Sequence, residues 1–111
     1  MPRTLAALPS HWFQILLALA DHDLHGLGVM NEVLERTGGQ MRLWPAMLYR
    51  NLQRLEAEGL IAEVPGPSEP AAGNPRYFRI TVAGRRACAA EATRLAGFVE
   101  AARDKRLLKR S

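Results

Sequence analysis

The stretch from residue 45 to residue 61, PAMLYRNLQRLEAEGLI, predicts how the rest of the chain is arranged. Its leucines recur at steps of four and three, which places them on one side of a helix. Pro45 suits the first position of that helix because its missing N–H leaves no hydrogen bond unmade. We expect the helix to run to about Glu58 and to end at Gly59. The inner face carries Leu48, Leu52 and Leu55, and the outer face carries Ala46, Arg50, Gln53, Arg54 and Ala57.

Two further helices precede this one. The first is predicted from Ser10, as the N-cap, to Asp21, and the second from about His25 to Thr37, where a pair of glycines ends it. The first helix carries two apolar stripes. One comprises Phe13, Leu16, Leu17 and Ala20, and the other comprises Trp12, Ile15 and Leu19. Because a surface helix of a monomer usually buries one stripe, we expect another chain to cover the second.

Two short strands follow, at residues 60–64 (LIAEV) and 76–80 (RYFRI). The segment 65–75 between them is rich in proline and glycine, so it is predicted to be the long tip of a hairpin. Thr81 then caps a last helix that runs from about Val82 to Lys105. Its apolar residues follow a repeat close to 3.5, which is typical of a helix that packs lengthwise on a partner helix. They are Cys88, Ala92, Leu95, Val99 and Ala102.

This order of elements predicts a mainly α fold with a small β-hairpin, a winged helix-turn-helix followed by a long C-terminal dimerisation helix. We expect residues 1–81 to form the winged helix-turn-helix. Residues 82–111 would form the C-terminal helix and a basic tail, packed with the first part as one compact unit. In such a fold the third helix lies in the major groove of DNA, while the hairpin reaches phosphates or the minor groove.

The composition restricts the class of protein. A chain of 111 residues with 48% hydrophobic residues is expected to form one folded domain. No run approaches the roughly 18 apolar residues that a spanning helix needs, and the N-terminus lacks the features of a signal peptide. The single cysteine excludes an internal disulfide framework and a cysteine-based zinc site. We therefore expect a cytoplasmic protein with no membrane partner.

Charge is distributed unevenly along the chain. Residues 1–75 carry five basic and eight acidic side chains, a net charge of −3, whereas residues 76–111 carry ten basic and three acidic ones, a net charge of +7. A segment this basic suggests a polyanionic partner, because lysine and arginine near phosphates release condensed counterions. The alternative is a solvated tail that is kept cationic for solubility.

Several stretches in this order resemble the PadR-like transcriptional regulators. They are ILLALAD at 15–21, HG at 25–26, TGG at 37–39, LYR at 48–50, LEAEGLI at 55–61 and RYFRIT at 76–81, followed by AGRR at 83–86. The match is collinear from about Leu5 to Arg106, and the short C-terminal helix is similar to that of the smaller subfamily with a single helix after the wing. The resemblance implies a homodimeric, sequence-specific DNA-binding protein, usually a repressor that binds an inverted repeat. Some members release DNA on binding an aromatic compound.

Two positions depart from the family's pattern. The family usually has a Gly-Thr pair after the proline that opens the recognition helix, and this chain has Ala46-Met47. Met47 can offer only apolar contact, for instance to a thymine methyl group. Leu27 stands where a tyrosine most often follows the His-Gly pair. Both departures bear on the operator sequence more than on DNA binding itself.

The candidate DNA-binding residues form two groups. The recognition helix contributes Met47, Tyr49, Arg50, Gln53 and Arg54, and the wing and its flanks contribute Arg42, Asn74, Arg76 and Arg79. Arginine can bond guanine as a fork and glutamine can bond adenine in the same way. Tyr49 matches the family's tyrosine, whose hydroxyl can bond a phosphate. The alternative is a solvated helix face on which Arg54 pairs with Glu58 four residues later.

The first and last helices are expected to form a dimer interface. Its predicted residues are Trp12, Ile15 and Leu19 on the first helix and Leu95, Phe98, Val99 and Ala102 on the last. Plain packing between the two copies is the stronger interpretation, and the alternative is a small aromatic effector held between them. A ligand is expected at this interface because the chain has no room for a separate sensor domain. Trp44 is expected to pack at the turn before the recognition helix instead.

Other chemistry is less favoured. The histidines and aspartates of residues 21–25 resemble a set of metal ligands, but a role at the start of the second helix, with Asp23 as a cap, is the stronger interpretation. Cys88 is expected to be a buried apolar filler. We expect no cofactor, metal or catalytic residue, and hence no enzyme. The alternative function is a winged-helix protein–protein interaction module without specific DNA binding, which the acidic balance of residues 1–75 would suit.

Overall fold

The computed structural model describes residues 7–67 and 75–109 as four helices and three strands. Their order is α1 Ser10–Leu19, β1 Leu24–His25, α2 Gly26–Arg36, α3 Pro45–Ala57, β2 Ile61–Val64, β3 Tyr77–Ile80 and α4 Val82–Asp104. The predicted fold class, a winged helix with a C-terminal helix, is confirmed. The predicted helices and hairpin strands all exist, with ends that differ by at most two residues.

The starts of two helices differ from the sequence-based expectation. Ser10 lies inside α1, which Pro9 precedes without a side-chain cap. α2 is capped by His25, whose Nδ1 accepts a hydrogen bond from the Gly28 N–H at 3.2 Å. Asp23 is not the cap, because its carboxylate binds Arg79 of the wing. Thr81 does cap α4 as predicted, accepting a hydrogen bond from the Gly84 N–H at 3.0 Å.

The sequence analysis missed the strand β1, because two residues are too few to show an alternating pattern. β1 pairs antiparallel with β3, with Leu24 opposite Phe78, and β2 pairs antiparallel on the other side of β3. The sheet order is therefore β1-β3-β2. Since β1 immediately precedes α2, this pairing joins the wing to the helix-turn-helix.

The structure corrects the expected role of the second stripe of α1. Trp12, Ile15 and Leu19 are 8%, 0% and 2% exposed within this single chain, so they belong to its own core. Phe13 and Leu17, predicted to face inward, are only partly buried. The reason is that α1 lies at the centre of the fold, in contact with α2, α3, α4 and β3, and no second chain is needed to cover this stripe.

Gly84 allows a close approach between α4 and the end of α3. A Cβ atom added at this glycine would lie 2.1 Å from the carbonyl oxygen of Leu60. The same carbonyl accepts a hydrogen bond from the Thr81 N–H at 3.1 Å, and the Thr81 hydroxyl donates to the carbonyl of Gly59 at 2.6 Å. Gly59 itself has a φ of 76°, which a side chain would strain. This junction fixes the angle at which α4 leaves the wing.

A buried carboxylate fastens the segment before α1 to α4. Glu91 is 5% exposed, and its Oε1 accepts hydrogen bonds from the Leu8 N–H at 3.2 Å and from Arg94 Nε at 3.0 Å. Its Oε2 accepts another from Arg94 Nη2 at 2.5 Å. The hydrogen bonds from Arg94, with a smaller contribution from Leu8, lower the pKa of Glu91 although burial opposes this.

The Gly84→Ala variant is expected to lower the free energy of unfolding by about 2 kcal/mol or more, because backbone atoms must move to admit the methyl group. The matched control is Gly97→Ala in the same helix, where a Cβ atom would meet nothing within 4 Å. That variant should gain up to about 1 kcal/mol from helix propensity. Urea unfolding of both variants checks this, and equal effects would contradict it.

Acid is expected to weaken the contact of Glu91. Its folded pKa is lowered, so its stabilising contribution is complete above the unfolded value of about 4.3 and is lost as the pH falls through the folded pKa. The melting temperatures of the parent and of Glu91→Gln should differ most at neutral pH and converge as the pH falls through the lowered folded pKa. Glu100→Gln serves as the control, since Glu100 makes an exposed pair with Arg103 on the same helix. A difference that does not change with pH would contradict the prediction.

Candidate nucleic-acid interface

The outer face of α3 is polar and exposed, as its sequence predicts. Leu48, Leu52 and Leu55 are at most 1% exposed and hold the helix against the core. On the other side, Arg50, Gln53 and Arg54 are exposed. The helix therefore presents to solvent two arginines and an amide, side chains that can reach base edges or phosphates.

Three arginines lie on α3 or just before it, and none of the described carboxylates engages them. Within residues 7–67 and 75–109, no acidic side chain pairs with Arg42, Arg50 or Arg54. An ion pair between Arg54 and Glu58 is not among those of the described residues, but the alternative prediction of a solvated helix face is not tested by this. These three cations are available to an anionic partner without first breaking an ion pair.

The wing arginines differ in this respect. Arg79 donates through Nε and Nη2 to the two carboxylate oxygens of Asp23, at 3.0 and 2.7 Å. Arg76 Nη2 donates to Glu63 at 2.8 Å and to Glu56 of α3 at 3.2 Å. The sequence analysis expected both arginines to be free to meet DNA, whereas the structure pairs them.

These pairs also shift the ionisation of their members. The hydrogen bonds from Arg79 lower the pKa of Asp23, and those from Arg76 lower the pKa of Glu63. The same bonds raise the pKa of both arginines, so all four groups stay charged over the physiological range. Asn74, the remaining predicted wing residue, lies outside the described residues.

Met47 is less available than predicted, because it is half-buried and packs against the core. Its carbonyl accepts a hydrogen bond from Asn51 Nδ2 at 3.0 Å, and Asn51 Oδ1 accepts one from the indole N–H of Trp12 at 3.1 Å. Sequence reasoning missed Asn51, although a polar residue beside the leucine stripe of α3 was a signal for it. The chain of hydrogen bonds fixes α3 to α1.

Tyr49 rests against α2. Its side chain is 51% exposed, and a Cβ atom added at Gly26 would lie 2.6 Å from its hydroxyl oxygen. The glycine after His25 is thus the position that makes room for the tyrosine of α3. The hydroxyl end of the ring therefore lies against the start of α2, while about half of the Tyr49 residue is exposed.

Trp44 corrects another expectation. It was predicted to pack at the turn before α3, but it is 62% exposed. The guanidinium carbon of Arg42 lies 5.2 Å from the centre of its ring. An exposed aromatic side chain with a stacked cation therefore stands at the N-terminal end of α3.

The predicted interface residues fall into two environments. Those on α1 are buried, as described above. On α4, Phe98 and Val99 are 60% and 39% exposed, whereas Leu95 and Ala102 are half-buried. The part of this face that remains open to another molecule lies on α4.

Three further observations on the described part of the chain concern metal binding, thiol chemistry and membrane-spanning helices. No group of three or more histidine, cysteine, aspartate and glutamate side chains there is arranged to hold a metal ion. Cys88 is buried, as expected, and burial raises the pKa of its thiol. Among the described helices, none has the length and apolar character needed to cross a membrane.

Comparison with solved structures gives the same fold. A transcriptional regulator from Clostridium thermocellum is similar with a TM-score of 0.70 and 20% identity, over 84% of this chain and 86% of the other. A PadR family transcription regulator from Clostridium difficile is similar with a TM-score of 0.69 and 20% identity, over 84% of this chain and 96% of that one.

Sequence comparison identifies the family as well as the fold. The chain is 42% identical over 82 residues, 74% of its length, to an uncharacterized 37.1 kDa protein in transposon TN4556 of Streptomyces fradiae, of which it spans 22%. The model of the Transcriptional regulator PadR-like family matches residues 15–90, from α1 through the wing into α4. This match includes the exposed face of α3 and both wing arginines. The chain therefore belongs to the PadR-like family of transcriptional regulators.

Proposed function

We propose that the chain is a transcriptional repressor that binds an inverted repeat in DNA as a homodimer. Its family consists of DNA-binding transcription regulators rather than enzymes. The observation that carries the proposal is the set of exposed arginines around α3, Arg42, Arg50 and Arg54, which have no carboxylate partner among the described residues. Cations without carboxylate partners suit a polyanion such as DNA, because each one can meet a phosphate.

In this proposal α3 enters the major groove and determines the sequence that is bound. Arg50 can donate two hydrogen bonds to a guanine, and Gln53 can exchange two with an adenine. Arg54 lies one turn beyond Arg50 and reaches a base or a phosphate. Met47 contributes with the part of its side chain that the core leaves open.

The wing contributes less to the free energy of DNA binding than its two arginines alone would indicate. To reach a phosphate, Arg79 must leave Asp23 and Arg76 must leave both Glu56 and Glu63. Exposed ion pairs are worth less than about 1 kcal/mol each, so a phosphate can replace them. The exchange gains less free energy than a contact made by an unpaired arginine.

Dimerisation is supported by the second half of α4. The buried residues of this helix, Gly84, Cys88 and Glu91, all lie in its first half. Beyond them, Leu95, Phe98, Val99 and Ala102 recur at i, i+3, i+4 and i+7, which forms one apolar face. A second copy packed on this face would give the two-fold symmetry that an inverted repeat mirrors.

An aromatic effector would contact Phe98 in this arrangement. Trp12, the other aromatic residue expected at the interface, is buried and hydrogen-bonded to Asn51. A ring inserted between two copies of α4 would stack on Phe98 and change the spacing of the two recognition helices. Loss of DNA binding on addition of aromatic compounds, absent in Phe98→Ala, is the expected behaviour.

The experiment that tests the function is a fluorescence-anisotropy titration with DNA from the protein's own upstream region. A scrambled duplex serves as competitor, and the titration is run at about 50 and 200 mM salt. Tight binding of one dimer that survives the competitor is the expected result. Weak binding that is equal on both duplexes, followed by a failure to select any fragment from the whole genome, would favour the protein-interaction alternative.

The Arg50→Ala variant is expected to weaken operator binding by about 1–3 kcal/mol. Arg76→Ala should cost less than about 1 kcal/mol, because Arg76 is already paired in the free protein. Arg36→Ala, which removes a paired arginine from α2, controls for the change in net charge. Anisotropy at fixed salt measures all three, and an effect of Arg76→Ala equal to that of Arg50→Ala would contradict the ranking.

Glutamates on the open face of α4 should separate the dimer. The double variant Phe98→Glu, Val99→Glu is expected to sediment as a monomer of 12.3 kDa, because like charges would meet across the two-fold axis. Thr93→Glu, on the opposite side of α4 and exposed, is the matched control and should remain dimeric. A parent protein that sediments as a monomer at micromolar concentration would contradict the proposed assembly.

A further inference from the structure

Trp44 has an exposed indole at the N-terminal end of the recognition helix. It precedes Pro45 as the N-cap residue of α3, but its side chain makes no cap hydrogen bond. It is 62% exposed, and none of the residues 7–67 and 75–109 accepts a hydrogen bond from its indole N–H. Both its ring and its donor are therefore open to another molecule.

The other tryptophan of the chain shows the contrast. Trp12 is 8% exposed, and its indole N–H donates to Asn51. A buried tryptophan removes roughly 150–250 Å² from water, so exposing one forgoes a large gain in stability. Exposed aromatic side chains of this size are enriched at binding interfaces.

The neighbouring charge indicates what kind of molecule binds there. Arg42 lies over the ring of Trp44 at 5.2 Å and has no carboxylate partner among the described residues. The pair offers an apolar surface, an N–H donor and a positive charge within one small area. This combination suits a sugar–phosphate backbone better than an apolar protein surface, which would bury the charge.

The place of the pair in the fold agrees with this. A recognition helix uses its N-terminal residues to contact base edges. The major groove is about 12 Å wide, close to the diameter of a helix with its side chains, so phosphates line both sides of the inserted helix. An exposed side chain at the N-cap of α3, as Trp44 is, lies next to that line of phosphates.

We propose that Trp44 and Arg42 together bind the DNA backbone at the edge of the major groove. The indole N–H donates to a phosphate oxygen, the ring packs on the adjoining deoxyribose, and Arg42 donates to the same or the next phosphate. The inference rests on the proposed function and deepens it, because backbone contacts position the helix and add affinity without reading sequence. The base contacts remain with Arg50, Gln53 and Arg54.

Acrylamide quenching of tryptophan fluorescence gives the direct test. The parent reports both tryptophans, and Trp44→Phe reports the buried Trp12 alone, so the difference isolates Trp44. Duplex DNA should protect Trp44 from acrylamide over the same concentration range in which the anisotropy of labelled DNA rises. The quenching of Trp12 should not change.

Binding by variants gives an independent test. Trp44→Ala is expected to weaken binding of the operator and of the scrambled duplex by the same factor, about tenfold, and Trp44→Phe by less. Arg42→Ala should weaken both as well, and should reduce the salt slope by about 0.9 for each lost phosphate contact. Lys105→Ala, which removes one charge at the end of α4, is the matched control and should leave the slope unchanged.

The outcomes separate this inference from the proposed function. DNA binding without protection of Trp44, or with parent-like affinity in Trp44→Ala, overturns the inference while the function stands. A loss confined to the operator also overturns it, since Trp44 would then read a base. Protection that appears without DNA as the protein concentration rises assigns Trp44 to a contact between copies, and a lack of DNA binding contradicts both proposals.

Discussion

The packing of α1 against four other elements is the constraint on which the rest of the structure depends. Its residues contact α2, α3, α4 and β3, so each of these elements takes its position from one short helix. Ile15 and Leu16 are fully buried, and truncation of such a side chain to alanine typically costs about 2–5 kcal/mol. The polar link from Trp12 through Asn51 to the Met47 carbonyl adds a directional contact to this packing. Together with the buried Leu48, Leu52 and Leu55, it holds α3 with its polar side towards solvent.

Ion pairing separates the arginines into paired and unpaired ones, and the number of arginines in each segment does not show this division. The segment 76–111 carries a net charge of +7, yet Arg76, Arg79, Arg94 and Arg103 within it are all paired with carboxylates. Residues 1–75 carry a net charge of −3, yet they contain the unpaired arginines around α3. Net charge describes long-range attraction of a polyanion, whereas contact depends on which cations are free. Among the described residues, cations without a carboxylate partner therefore occur in both segments, for example Arg50 in the first and Arg86 in the second.

The proposed contacts distribute affinity and sequence preference over different residues. Arg50 and Gln53 project from the middle of α3 towards base edges, while Trp44 and Arg42 lie at its entry, beside the backbone. The wing is tied to both ends of the helix-turn-helix unit, through Asp23 before β1 and through Glu56 near the end of α3. These exposed ion pairs link the wing to the segment before β1 and to α3, and a phosphate can replace either of them.

The sequence by itself determined the helices, the hairpin strands, the inner leucines and outer polar residues of α3, and the resemblance to the family. The helices, the strands and the two faces of α3 follow from periodicity and turns, which act over a few residues, and the resemblance rests on the motifs quoted for it. Four results needed the tertiary structure: the two-residue strand β1, the inward orientation of Trp12, Ile15 and Leu19, the pairing of the wing arginines, and the exposure of Trp44. Asp23 and Arg79 are 56 residues apart in the chain, and Arg76 and Glu56 are 20 apart. A helix that is apolar on two sides does not show in its sequence which side will be covered, and an arginine does not show whether it will meet a carboxylate. Both depend on elements that only folding brings together.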